Sequence, residues 1–411
     1  MRWLATCVWL ACIIAATPAG AQMWRGAVTP PPNHFLQFGR AVDASSDTLV
    51  IGAPDSIRNN DASNCSIAYP GFGAVAVYTR TAAGAWALSQ ELWHDPFSSG
   101  DTTDWEPRFG NSVSLRGNTL AVSAERLPLN GVGNVGGFYV FQRTSPTASF
   151  TRLGPFFAPT PQQDVRLGDV SGIATNGNYV AVSDHVSILY YRIQGASVSF
   201  VASISPPVPA PPDKLFITDN DVLVGLITGY TSLLAYQLGP SSYTTLDTSA
   251  LVDGSIYSRP AAGSGNTFVS GLSNDPARMR IVAFSSGAVA SVNSRVVPNT
   301  SSSPVSMAVK AGAGIYVSLR DASDGRLSGF LSGDYTWVSS HWPTRLPGIA
   351  ASSSWGLAAA FNGRDLFVGD YQGGQAAGGC TTNFPSTGSV SWFLAGGLGV
   401  AIRTTPLAVL F

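Results

Sequence analysis

Short apolar stretches alternate with Gly/Asn/Asp turns along most of this chain, and the alternation repeats. FGRAVDASSDTLVIGA, starting at Phe38, and FGNSVSLRGNTLAVSA, starting at Phe109, share Phe-Gly, Val, Thr-Leu and a final Ala at equal offsets. WGLAAAFNGRDLFVGD, starting at Trp355, keeps the frame with Trp for Phe. Weaker copies lie between: IATNGNYVAVSD from Ile173, LFITDNDVLVGL from Leu215, SGNTFVSGL from Ser264 and MAVKAGAGIYVSL from Met307. Two apolar runs around a polar turn predict a β-hairpin. Seven such hairpins recur about every fifty residues, a period that points to propeller blades.

A third apolar run follows each hairpin and ends in an aromatic: Tyr78, Phe141, Tyr191, Tyr236, Phe284, Phe330 and Phe393. These rings are expected to pack between blades. A fourth, shorter strand is read at 86–88, 150–153, 200–204 and 243–246. The prediction is an all-β, seven-bladed β-propeller of four-stranded antiparallel blades, starting near 38, 109, 168, 213, 260, 304 and 355. One small sheet cannot cover both of its faces, so each blade must cover its neighbour.

The first 21 residues stand apart. An Arg, an apolar run over 8–16 and an Ala19-Gly20-Ala21 triplet predict a secretory signal peptide cut after Ala21, leaving 22–411 as a single propeller. The expected location is secreted or periplasmic, at the cell envelope. Only Cys65 and Cys380 then remain of the four cysteines. Each lies eight residues before the Gly that opens a third strand, in the first and last repeats, which a closed ring makes neighbours. That placement predicts a Cys65–Cys380 disulfide at the seam. Residues 24–28 or 400–411 could complete the last blade, and the pattern does not choose between them.

At Phe38-Gly39 and Gly52-Ala53-Pro54 the chain resembles the FG-GAP repeats of integrin α-subunit propellers and of exported bacterial proteins. Phe109-Gly110 keeps half of the signature, with Ser123-Ala124-Glu125 for the other half, and Trp355-Gly356 precedes Gly369-Asp370. Blades three to six read as having lost both halves. The resemblance implies a propeller scaffold for binding or adhesion. Integrin-like blades often carry a calcium loop in the first hairpin, but these turns read DASSD, LRGN, TNGN, TDND, GSGN, KAGAG and FNGRD, too poor in oxygen ligands. Asp43, Ser45 and Asp47 come nearest. No metal and no cofactor are expected.

Charged residues make up 11% of the chain and the net charge is −1, so no basic stripe suits it to nucleic acid. No apolar run past the signal is long enough to span a membrane as a helix. No GxSxG elbow, HExxH helix or P-loop is present, and His34, His94, His185 and His341 lack metal-ligand spacing. No catalytic residue is assigned.

Loop length supplies the remaining signal. The loops between strands two and three are long at 54–72, 125–135 and 371–387, in blades one, two and seven, and the connection LWHDPFSSGDTTDWEPR reaches the same face. Asp55, Arg58, Asn60, Tyr69, Trp93, Asp101, Trp105 and Tyr371 are predicted to form an aromatic and acidic ligand face for a protein or carbohydrate partner. The chain is expected to be a monomeric, non-enzymatic binding module. The alternative is a secreted hydrolase with an axial active site assembled from several blades; a membrane β-barrel is disfavoured because spans of ten alternating residues are missing.

Overall fold

The computed structural model describes residues 23–28, 30, 37–56, 72–94, 107–169, 172–184, 186–207, 212–228, 230–231, 233–251, 257–275, 278–296, 304–311, 314–319, 326–331, 337–340, 358–370 and 389–394. After β1 (Met23–Val28) comes a first meander of β2 (Ala41–Ser45), β3 (Thr48–Ala53), β4 (Ala74–Arg80) and β5 (Trp86–Trp93). The second holds β6 (Phe109–Arg116), β7 (Thr119–Ala124), β8 (Gly137–Gln142) and β9 (Thr151–Phe156). The third holds β10 (Ile173–Thr175), β11 (Tyr179–Ser183), β12 (Ile188–Gln194) and β13 (Ser197–Ile204). β14 (Lys214–Ile217), β15 (Val222–Leu226), β16 (Leu234–Leu238) and β17 (Tyr243–Thr245) form the fourth. β18 (Tyr257–Ser264), β19 (Thr267–Leu272), β20 (Arg278–Ser285) and β21 (Ala288–Val296) form the fifth, and β22 (Pro304–Lys310), β23 (Gly314–Leu319), β24 (Arg326–Leu331) and β25 (Trp337–Ser340) the sixth. Last are β26 (Ala358–Phe361), β27 (Asp365–Asp370) and β28 (Ser389–Leu394).

The described strands make seven four-stranded antiparallel sheets, but they are not seven of a kind. Six are blades of contiguous chain. The remaining sheet has the order β1-β28-β27-β26, so the last repeat supplies three strands and the N-terminal segment the fourth. The expectation of seven like blades is corrected accordingly: contiguous blades number six. β1 pairs with β28 from Met23 opposite Leu394 to Val28 opposite Val390, with a bulge between Trp24 and Gly26. This strand exchange joins the chain ends. The expected disulfide is also corrected: no disulfide occurs among the described residues, and Cys65 and Cys380 both lie outside them. Strand pairing needs no covalent crosslink to hold the seam.

Burial follows strand position. β3 and β7 are buried at every residue, whereas the outer strand β5 is mostly exposed or half-buried. Central strands are covered on both faces, which is why TLVIGA reads as a nearly continuous apolar run. Alternate residues face opposite neighbours. Leu120, Val122, Tyr139 and Phe141 of the second blade pack with Val50, Val75 and Val77 of the first, while Ala121, Phe138 and Val140 pack with Val180, Val182 and Leu189 of the third. The core is thus divided among the clefts between blades. Tyr78, Phe141, Tyr191, Tyr236 and Phe284 are all buried there, as their positions at the ends of third strands implied.

The glycines of the Phe-Gly and Gly-Ala pairs act together between blades. A Cβ on Gly52 would stand 2.0 Å from the carbonyl oxygen of Gly110, and one on Gly369 would stand 2.3 Å from that of Gly39. Gly39 and Gly110 both have φ of 92°, a conformation glycine adopts without steric cost. The Phe-Gly of one blade therefore docks on the Gly-Ala of the blade before. In blade three, which had read as lacking the signature, Leu167-Gly168 takes the Phe-Gly place: Gly168 N donates to Ser183 O, as Gly39 N does to Gly52 O. Gly136 and Leu167 form a parallel bridge matching that of Gly73 and Phe109.

Candidate functional site

Two polar assemblies stand out among the described residues, one joining the ends of β3 and β7 and one on the ring axis. The first begins at Asp55, just beyond β3. Asp55 Oδ1 lies 3.4 Å from Arg108 Nε, and Arg108 Nη1 lies 2.6 Å from Glu125 Oε1. Asn111 Nδ2 donates to Glu125 Oε2 at 2.7 Å. Arg108 directly precedes the Phe-Gly of blade two and has φ of 51°; Gln37 and Arg166 share that conformation before their own repeats. Repeat geometry thus aims the guanidinium back toward blade one.

Glu125 is almost wholly buried. Burial, aided by a side-chain hydrogen bond with Asp169 of blade three, pushes its carboxyl up to about 7, against the pull of Arg108. A charged network therefore spans blades one, two and three. Pre-organised side chains of this kind hold a surface rigid.

Trp93 had been placed in the connection after the first blade, but it is the last residue of β5. Its ring packs against the cluster between the seventh sheet and blade one, and Nε1 donates to Glu91 Oε2 at 3.2 Å. His94 follows, buried, with Nδ1 2.7 Å from Tyr139 Oη. That contact ties the segment leaving blade one to blade two. Of the predicted face, Asp55 and Trp93 are described and belong to different assemblies; Arg58, Asn60, Tyr69, Asp101, Trp105 and Tyr371 lie outside the described residues.

The second assembly surrounds a cavity of about 120 Å³ on the axis, lined by the innermost strands β2, β6, β10, β14, β18, β22 and β26. Asp43, named above as the nearest approach to a calcium loop, is engaged with backbone. Its Oδ1 accepts from Ala44 N at 2.8 Å and its Oδ2 from Leu115 N at 2.7 Å, capping an amide on the inner edge of blade two. Ser114 repeats the device for Thr175 N of blade three. Asp43 lines the cavity half-buried, with protein packed around it. Desolvation raises its pKa against those amides and against the charges of Lys214 and Arg116.

Lys214 and Lys310 face the same cavity. Desolvation lowers the pKa of both; Asp43 opposes this at Lys214, while Arg116 adds to it at Lys310. Arg116, the last residue of β6, forms an ion pair with Asp219 in the turn after β14. Sequence reading missed these cations, because each looks like one polar residue in an apolar strand. The available signal was a Lys at the start of one inner strand and at the end of another.

Among the described residues no group of three or more His, Cys, Asp or Glu could hold a metal ion, and no helix is long and apolar enough to cross a membrane. No protein-family profile matches the chain. No curated protein matches it either. Solved structures do. A chain of the mitotic checkpoint complex is similar with a TM-score of 0.54 at 11% identity, over 96% of this chain and 99% of that one. The structure of U3-55K gives 0.51 at 10% identity, over 90% and 97%. At such identities the likeness is one of fold. The ring of four-stranded sheets makes this chain a β-propeller.

Proposed function

We propose that the chain is an exported, non-catalytic binding or adhesion module of the FG-GAP type. Its ligand face is carried by the long loops of blades one and two and of the seventh sheet, and the segment 1–21 directs export. The observation that carries this reading is the Asp55–Arg108–Glu125 ladder, half-buried at Asp55 and Arg108 and buried at Glu125, which ties the loop bases of blades one and two together across the cleft between them. Function concentrates in loops that a rigid scaffold positions. The docking of Gly110 on Gly52 and of Gly39 on Gly369 supports the FG-GAP assignment, because it gives the signature a structural task at those seams. A protein or carbohydrate is the expected ligand.

The test is binding of residues 22–411 to immobilised glycans and to envelope and extracellular proteins, repeated with the Trp93→Ala/Trp105→Ala variant. A saturable partner whose affinity falls about tenfold or more in the variant supports the face. A partner bound equally by both proteins overturns it. A second reading, a hydrolase with its active site on the axis, draws on Asp43 opposite Lys214 in the channel. It requires turnover of a glycoside or ester that Asp43→Asn abolishes.

A further inference from the structure

The axial cavity holds more positive than negative charge. Arg116, Lys214 and Lys310 stand against Asp43 and Asp219. Arg116 is taken up by Asp219. Asp43 has both oxygens bonded to backbone amides. Among the described residues the two lysine ammonium groups form neither an ion pair nor a hydrogen bond. Each ammonium is half-buried against the cavity without a contact partner, and an anion entering the cavity supplies one. The lowered pKa of each lysine reflects the same desolvation.

Position sharpens the picture. Arg116 and Lys310 end their strands and Asp219 lies in a hairpin turn, so these groups rim the channel on the face of the strand one to two turns. Lys214, at the start of β14, lies deeper. The wall between is small and apolar at Ala262, Ala308 and Ala360, the places equivalent to Asp43 in their own blades. A water needs about 10–15 Å³ of cavity, so a cavity of about 120 Å³ has room for a tetrahedral or carboxylate oxyanion with several waters.

We propose that the axial channel is a binding site for a small oxyanion, phosphate or a compact carboxylate, drawn in by the cavity-lining Lys214 and Lys310 and reached from the hairpin face. The site is separate from the long-loop face and stands whether or not that face binds a macromolecule. Asp43 opposes the anion and thereby limits its affinity.

Titration calorimetry of residues 22–411 with inorganic phosphate, sulfate and citrate tests the site and separates the oxyanion sources. One saturable site is expected for at least one probe. Lys214→Met/Lys310→Met should weaken it about tenfold or more, and Asp43→Asn should tighten it. Removing two desolvated charges does not threaten folding, and circular dichroism of the variant checks this; Lys310→Gln alone gives a smaller loss should the double variant fail. Absence of saturable binding with all three anions overturns the proposal, as does an affinity unchanged in the lysine variants.

Discussion

Arg80, the last residue of β4, places its Nε 3.4 Å from Oδ2 of Asp365, the first residue of β27, across the seam where the ring closes. Asp365 is fully buried, and Trp392 Nε1 donates to its Oδ1 at 3.1 Å. The same pair of repeat positions meets one blade on, where Arg143 Nη2 donates to Thr48 Oγ1 at 2.8 Å. The seam is thus an ordinary blade contact with a carboxylate in place of a hydroxyl. Arg80→Met should cost about 3–5 kcal/mol, because it strands a buried charge. Adding Asp365→Asn should recover part of that loss. Urea midpoints of the two single variants and the double variant measure it, and a loss below about 1 kcal/mol for Arg80→Met would refute the coupling.

Gly52→Ala puts a methyl group into the backbone of Gly110. The blades must separate, and the expected loss is about 3 kcal/mol or more. Gly117→Ala is the control, with φ of 57° and nothing within 4 Å of the added carbon; it should lose only about 1 kcal/mol. Equal losses in the two variants would sink the docking role of Gly52.

Glu125 sets a pH dependence. Its carboxyl is raised from 4.5 to about 7 in the folded chain, so the fold favours the protonated form. The stability it contributes is present below pH 4.5 and is lost as pH climbs through 7, an amount on the order of 3 kcal/mol. Glu125→Gln, which stays neutral, should lack this decline. Comparing denaturation midpoints at pH 5 and pH 8 tests it; parallel behaviour of wild type and variant would be the contrary result.

Removing residues 1–28 deletes β1, leaves β28 as an open edge and uncovers Val390, which the intact fold buries fully. A loss of several kcal/mol and a tendency to associate through that edge are expected. Removing residues 1–21 alone leaves β1 whole and should not change the melting temperature. Differential scanning calorimetry distinguishes the two truncations, and equal melting temperatures would contradict strand exchange as the closing device.

Much of the scaffold was legible because blades are local. The Thr-Leu runs, the Gly/Asn turns and the aromatic third-strand ends each lie within a few residues of one another, and they located β3, β7, β11 and β15 with their hairpin partners. The candidate sites were less legible. Trp93 looked like a loop residue because Asp95 and Pro96 follow it, yet β5 runs on to include it. Leu167-Gly168 escaped notice because Leu replaces Phe, although the cleft asks only for a large apolar side chain followed by a glycine.

The chain by itself determined that it would form repeated hairpins, that their middle strands would be buried on both faces, and that a terminal strand would be needed to finish the last sheet. Those properties rest on side-chain period and turn chemistry, which act over short stretches. Tertiary structure alone decided which terminus supplies that strand, and that Asp43 caps Leu115 N. It also brought Arg116, Lys214 and Lys310 around one axis and Asn362 to within 2.6 Å of Ser46 O, 316 residues away. Such partners meet only when the ring closes, and closure is set by the fit of each blade on the next, which no single repeat encodes.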